Sequence, residues 1–342
     1  MKVGFWNYYE ELNHNNYIFL NPNAPIGDNL LKPVNDLYVY AKQRGLEFMT
    51  LDMIENFESM DAFVFFDFPN MNNPLVQKAF GSKSPKNLVI WESEVIKPDN
   101  WDINNHEYFK KIYTWNDSII DNKKYFKINF AQEFPSHINK DLSKKIKLCA
   151  LMASRKRAKH PLEIYTKRLE AIRWFEKNHP DDFDLYGIGW DGYKLISRKW
   201  SRKINDKAPF LAKRLPLRFP SYRGRVDFKR PVLEQYKFSI CYENARDIPG
   251  YITEKIFDCF FAGCVPVYWG ANNVTDHVPK ECFIDKRDFK SHEELYHYLK
   301  NMSDREYLSY LDSIGSFLKS EKGYKFSSDC FVKTVCEIFL TQ

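Results

Sequence analysis

The chain has 342 residues, of which 44% are apolar, 28% charged and 17% aromatic. Aromatic surface on that scale offsets chain entropy and excludes a disordered chain, while the length suits two domains of ordinary size. The formal net charge is +6, yet thirteen Lys or Arg fall between Lys194 and Arg230 against only Asp206 and Asp227, so the excess is local.

In chain order, KVGFW (2–6), AFVFFDF (62–68), NLVIWE (87–92) and KIYTW (111–115) read as strands. They are followed by KIKLCALM (145–152), FDLYGI (183–188), KFSICYE (237–243), CVPVYWG (264–270) and CFID (282–285). Their β-branched and aromatic content and their spacing predict a mostly parallel sheet. Helices are expected at 30–44, ending before Gly45, and after His160. There Tyr165, Leu169, Ile172 and Phe175 recur at helical spacing and Pro161 suits the first turn. Segments 291–299, 304–318 and 329–339 form a helical tail. The polar stretch HINKDLSKK (137–145) is the expected linker. The pattern is α/β, with two Rossmann-like domains, 1–140 and 141–342, facing each other across a cleft.

No apolar run approaches the ~20 residues of a spanning helix. MKVGFWNYYE holds no apolar stretch of signal-peptide length, so a cytoplasmic place is expected. The seven Cys form no CxxC pair and read as small buried hydrophobes in a reducing compartment. HExxH, GxSxG and P-loop patterns are absent, which argues against a zinc hydrolase, a serine hydrolase and an NTPase. Asp182-Phe183-Asp184 has the form of a metal-chelating pair but reads as the polar lead-in to a strand.

Chemistry concentrates in CYENARDIPGYITEKIFDCFFAGCVPVYWG (241–270). A strand, a polar loop with Pro249 and Gly250, a helix starting at Thr253 and Glu254, and a second strand follow in order. That unit sets a helix N-terminus at the carboxyl edge of a parallel sheet, where free N–H groups and the dipole favour an anion. Lys255 adds positive charge, and Asn244 and Tyr251 can reach a sugar, ribose or phosphate. The same residues also suit an ordinary crossover with a solvated Lys255.

This segment resembles the donor-binding half of the α1,3/α1,4-fucosyltransferases, glycosyltransferase family 10. The matching residues are Tyr242-Glu243-Asn244, then Tyr251-Ile252-Thr253-Glu254-Lys255, then Val265, Pro266, Val267 and Gly270. The resemblance implies an inverting, metal-independent transferase of the GT-B arrangement with GDP-fucose as co-substrate and no cofactor. It places Asn244, Tyr251, Glu254 and Lys255 on the donor. A base must also take the acceptor's proton from across the cleft. NLVIWESE supplies Glu92, favoured over Glu94, in the segment where the family has a Glu. The family arginine ahead of the helical aromatic is missing, since Leu162 stands there; Ser154 and Arg157 are the expected substitutes. Tyr222, Arg225 and Lys229, in the basic stretch, are expected to line the GDP pocket beside Arg223.

The rest of 194–230 is expected to be solvated or to lie on an anionic membrane beside a lipid-linked acceptor, peripheral at its inner face. No nucleic-acid module surrounds the basic residues, so no nucleic-acid partner is expected. The acceptor implied is an oligosaccharide or lipid-linked glycan containing N-acetylglucosamine, such as N-acetyllactosamine, attacked at its 3-OH. A bacterial enzyme decorating lipopolysaccharide, monomeric for want of a heptad tail, fits this reading. Alternatives are a same-fold transferase for another GDP-linked sugar, or an inactive protein binding a nucleotide sugar or an anionic surface.

Overall fold

The computed structural model describes residues 1–22, 28–191 and 218–340. Positions 194–217 of the basic block lie outside them. Two six-stranded sheets organise the described chain. The first contains β1 (Lys2–Asn7), β2 (Glu47–Thr50), β3 (Ala62–Phe66), β4 (Lys86–Ile90), β5 (Lys111–Thr114) and β6 (Tyr125–Lys127), in the order β2-β1-β3-β4-β5-β6. The second contains β7 (Lys147–Met152), β8 (Phe183–Tyr186), β9 (Tyr222–Gly224), β10 (Tyr236–Tyr242), β11 (Val265–Trp269) and β12 (Ile284–Asp285), in the order β12-β11-β10-β7-β8-β9. Neighbouring strands pair in parallel, for example Val3 with Ala62 and Phe238 with Val265. β3 is buried along its whole length, as its unbroken apolar sequence AFVFF requires of a central strand covered on both faces.

The principal helices are α1 (Lys32–Gln43), α2 (Pro74–Gly81), α3 (Tyr165–Asn178), α4 (Glu254–Phe261), α5 (His292–Asn301), α6 (Asp304–Leu318) and α7 (Ser328–Leu340). α3 begins four residues after Pro161, which therefore lies outside the helix instead of in its first turn. Glu163 is held in a bridge to Ala245, so the backbone is still extended there. Strands β2, β6 and β9 and helix α2 lie where no element was expected.

In each sheet the strand order reverses where an open parallel sheet binds ligands, outside the carboxyl ends of its strands. These reversals fall at β1/β3 in the first sheet and β7/β10 in the second. The loops following those strands line one shared cleft.

One expectation is corrected. The tail assigned to the second domain divides: α5 and α6 bury Leu295, Leu299, Leu311 and Ile314 in the second core. α7 instead crosses back and places Phe331, Val332, Val335, Cys336 and Phe339 among Val3, Phe5, Leu37 and Phe48 of the first core. The apolar stripe of α7 requires burial, but the partner is set by the return of the chain. At that return the two interdomain crossings touch: Gln132 N–H donates to Phe326 O at 2.8 Å, and Ser328 N–H donates to Gln132 O at 2.9 Å. Among the described residues no helix is long and apolar enough to cross a membrane.

Candidate functional site

A cavity of about 360 Å³ lies between the domains. From the first come Tyr8 and Tyr9 after β1, Asp67 after β3, and Trp91 and Glu92 after β4. From the second come Ser154 and Lys156 after β7, Arg168 on α3, Asn244 after β10, Lys229, and Thr253, Glu254, Lys255 and Asp258 around the start of α4. One wall is therefore rich in cations and the opposite wall carries the carboxylate of Glu92.

Glu92 owes its position to Asp67. A single oxygen of Asp67, Oδ1, accepts from the N–H of Trp91 (2.8 Å), the N–H of Glu92 (3.0 Å) and Nδ2 of Asn100 (2.6 Å). The Glu92 carbonyl accepts from Asn100 Nδ2 (3.2 Å) and Trp101 Nε1 (3.1 Å). The turn bearing Glu92 is thus fixed on both sides, and its carboxylate accepts from the hydroxyls of Tyr8 (3.4 Å) and Tyr9 (3.2 Å). Burial pushes the Glu92 carboxyl above its ordinary range, while Lys156 and Lys255 pull it back. A carboxyl so raised is suited to proton transfer. Glu94 is exposed, points to His160 at 3.4 Å and is not among the cavity residues.

On the opposite wall Glu243 is fully buried. It accepts from the N–H and hydroxyl of Thr253, at 2.9 and 2.7 Å, and lies 3.2 Å from Lys255 Nζ. It thereby ties the end of β10 to the N-terminus of α4. Lys255 also donates to Thr253 Oγ1 (2.9 Å) and Glu254 Oε1 (3.2 Å). Although burial opposes its charge, Glu254 and Glu243 hold the Lys255 ammonium protonated. Burial likewise opposes ionisation of Glu254, but Lys255 and Lys229 bring its carboxyl down to about 2. Lys229 bonds Asp258 at 2.6 Å. The Tyr251 ring is buried against Trp115 of the first domain, centroids 4.6 Å apart, so it joins the two halves as well as lining the cavity.

Of the residues expected on the donor, Asn244, Tyr251, Glu254, Lys255, Ser154 and Lys229 lie in the cavity. Three do not. Arg157 is exposed beyond it, and its neighbour Lys156 lines the wall instead. Tyr222, on edge strand β9, donates to Gly187 O at 2.9 Å, and Arg225 is exposed just after that strand. Their nearness to Glu243 in sequence is undone by the topology, because β7 and β8 stand between β9 and β10.

Sequence reasoning missed Tyr8, Tyr9 and Asp67 and, on the opposite wall, Arg168. Arg168 is only 4% exposed and donates to the carbonyls of Tyr242 (2.6 Å) and Glu243 (2.6 Å) and to Asn244 Oδ1 (3.0 Å). A charge between Tyr165 and Ile172 on the apolar face of α3 was the signal. Asp182 and Asp184 are committed elsewhere, Asp182 to Lys300 (2.8 Å) and Asp184 to Lys147 (2.7 Å) and Arg223 (2.6 Å). Among the described residues no three His, Cys, Asp or Glu are placed to share a metal ion.

Residues 221–338 match the family model described as glycosyltransferase family 10 (fucosyltransferase) C-term. An α-(1,3)-fucosyltransferase of Helicobacter pylori is 37% identical over 89 residues, 26% of this chain and 18% of that protein. An α-(1,4)-fucosyltransferase of Arabidopsis thaliana is 42% identical over 72 residues, 21% of this chain and 18% of that protein. These alignments span about a fifth of the relatives' own length. Among solved structures, an α1,3-fucosyltransferase with GDP superposes with a TM-score of 0.53 at 17% identity, over 99% of this chain and 89% of the other. The Anabaena protein Alr3699/HepE in complex with UDP gives 0.57 at 10% identity over the full length of both chains. The resemblance to family 10 is borne out, and the fold is that of the GT-B glycosyltransferases.

Proposed function

We propose that this chain, whose residues 221–338 match the family 10 fucosyltransferase model, transfers L-fucose from GDP-fucose to a glycan containing N-acetylglucosamine. N-acetyllactosamine, attacked at its 3-OH, is the proposed acceptor. The observation that carries this reading is one cavity with Glu92 on one wall and Lys255, Arg168, Lys229 and the α4 N-terminus on the other.

Transfer with inversion needs attack on fucose C1 from the face opposite the departing GDP. Glu92, projecting from the first domain, takes the proton from the acceptor hydroxyl as its oxygen bonds to C1. The C1–O bond to the diphosphate breaks, and negative charge gathers on GDP. Lys255 and the N-terminus of α4 line the cavity and suit that charge, so in this reading the protein's own cations stabilise the leaving group in place of a metal ion. Glu254, held ionised, is suited to accept from ribose or fucose hydroxyls. Cytoplasmic placement and contact with an anionic membrane through 194–230 rest on the composition and local charge of the sequence.

The test is GDP release from GDP-fucose and N-acetyllactosamine with EDTA present, for wild type and Glu92→Gln. Turnover that resists EDTA and falls about 10²-fold or more in the variant supports the reading. Turnover of another GDP-sugar in place of GDP-fucose would leave the fold and reject the donor.

A further inference from the structure

The wall around Glu92 carries a feature that the donor chemistry leaves unused. Tyr8 and Tyr9, directly after β1, both line the cavity, and their ring centroids lie 4.0 Å apart. Tyr9 is 38% exposed, a large aromatic face open at the rim beside the proposed base. The loop that presents it is fixed by one buried side chain. Asn13 Oδ1 accepts from Asn7 N–H at 2.7 Å, and Asn13 Nδ2 donates to the carbonyls of Asn7 (2.7 Å), Glu10 (3.3 Å) and Tyr9 (3.4 Å). Asn7 Oδ1 in turn accepts from Tyr9 N–H at 2.8 Å. Lys97 Nζ sits 5.9 Å from the Tyr8 ring centroid, so Tyr8 already has a cation against it.

We propose that Tyr9, backed by Tyr8, is the acceptor subsite, a rigid platform on which the apolar C–H face of an acceptor pyranose stacks with one hydroxyl delivered to Glu92. The inference rests on the transfer reading above and names the surface that reads the acceptor. Three observations converge on it. The cationic wall opposite suits the diphosphate, so the acceptor enters from the side of the first domain. An amphipathic aromatic ring offers contact area at low entropic cost and a hydroxyl for polar contacts. Both tyrosine hydroxyls donate to the same carboxylate oxygen, Oε1. Among the described residues none donates to Oε2, so that oxygen can accept from the acceptor hydroxyl while Oε1 is held in place. Burial and the Glu92 charge push the Tyr9 hydroxyl to about 12, so it remains a donor throughout the neutral range.

The test compares Tyr9→Ala and Tyr9→Phe with wild type, using GDP-fucose and N-acetyllactosamine, with GDP binding measured calorimetrically on each protein. Tyr9 is at the surface, so both variants are expected to fold. Losing an aromatic anchor should raise the acceptor KM about tenfold or more in Tyr9→Ala while GDP affinity stays within about twofold. Tyr9→Phe keeps the platform, so its acceptor KM should stay within about threefold of wild type. That variant also loses a hydrogen bond holding Glu92 ionised, so the acid limb of its kcat profile should move to higher pH. An acceptor KM unchanged in Tyr9→Ala, in a protein that still transfers fucose, overturns the platform and leaves the transfer reading intact. A wild-type chain that neither binds GDP nor releases it from GDP-fucose overturns both.

Discussion

Arg168 donates to the side-chain oxygen of Asn244 at 3.0 Å, and the same nitrogen, Nη2, donates to the carbonyls of Tyr242 and Glu243. One guanidinium on α3 therefore sets the end of β10, where the donor loop begins. Burial lowers the tendency of Arg168 to hold its proton, and nearby Tyr165 and Glu243 offset only part of that effect. Arg168→Met removes the donors and leaves buried acceptors unpaired. We expect a loss of about 2–4 kcal/mol in urea unfolding, together with weaker GDP binding. Arg168→Lys keeps the charge without the fork and should fall between the two. Wild-type stability in Arg168→Met would reject this role.

Glu92 works as a base only when ionised. Burial raises its carboxyl above the ordinary value of about 4.3, so activity should be lost as pH falls through that raised value and be retained above it. The acid limb of kcat/KM checks this. A limb at or below the ordinary carboxylate range would point to another base.

Asp67 ties stability to pH. Burial and the Glu92 charge bring its carboxyl up to about 7 in the folded chain, whereas unfolded it ionises near about 4. Between those values the folded state keeps a proton that the unfolded chain has released. Stability therefore falls as pH rises through that window and stays lower above it. In Asp67→Asn the remaining Oδ1 can accept the same three hydrogen bonds. Relative to wild type its urea midpoint should climb from about pH 4 to about pH 7 and then level off. A difference that does not vary with pH would show that another group titrates.

Gly250 sits at φ +80 directly before Tyr251, where a Cβ would strike the Trp115 carbonyl of the first domain and Asp117 Oδ2. Backbone strain and a clash across the interface act together in Gly250→Ala. We expect a loss of roughly 2–4 kcal/mol in unfolding stability, with reduced GDP release from GDP-fucose. A thermal midpoint equal to wild type would mean that the domains shift apart at little cost.

The donor half was legible because its chemistry is local. Thr253, Glu254 and Lys255 lie one loop beyond the strand that leads into Glu243, and Glu92 closely follows a strand that its own apolar run announces. Contacts between distant segments were not legible. Asp67 read as one more residue of AFVFFDF, although its φ of +62 takes it out of the strand and under Glu92. Tyr222 and Arg225 were drawn toward the site by sequence proximity, which an inserted pair of strands cancels. The stripe Phe331, Val332, Val335, Cys336 and Phe339 announced a buried helix without saying which core would receive it. Strands as short as Tyr125–Lys127 carry too little alternation to be seen.

The return of α7 also constrains motion. The polypeptide passes between the domains twice, and the passages are laced to each other at Gln132, Phe326 and Ser328. Asp28 of the first domain adds a further tie by accepting from the N–H groups of Lys229 and Arg230, both at 2.8 Å. A lone cut at 137–145 would not release two independent halves, since the second strap would still hold them together.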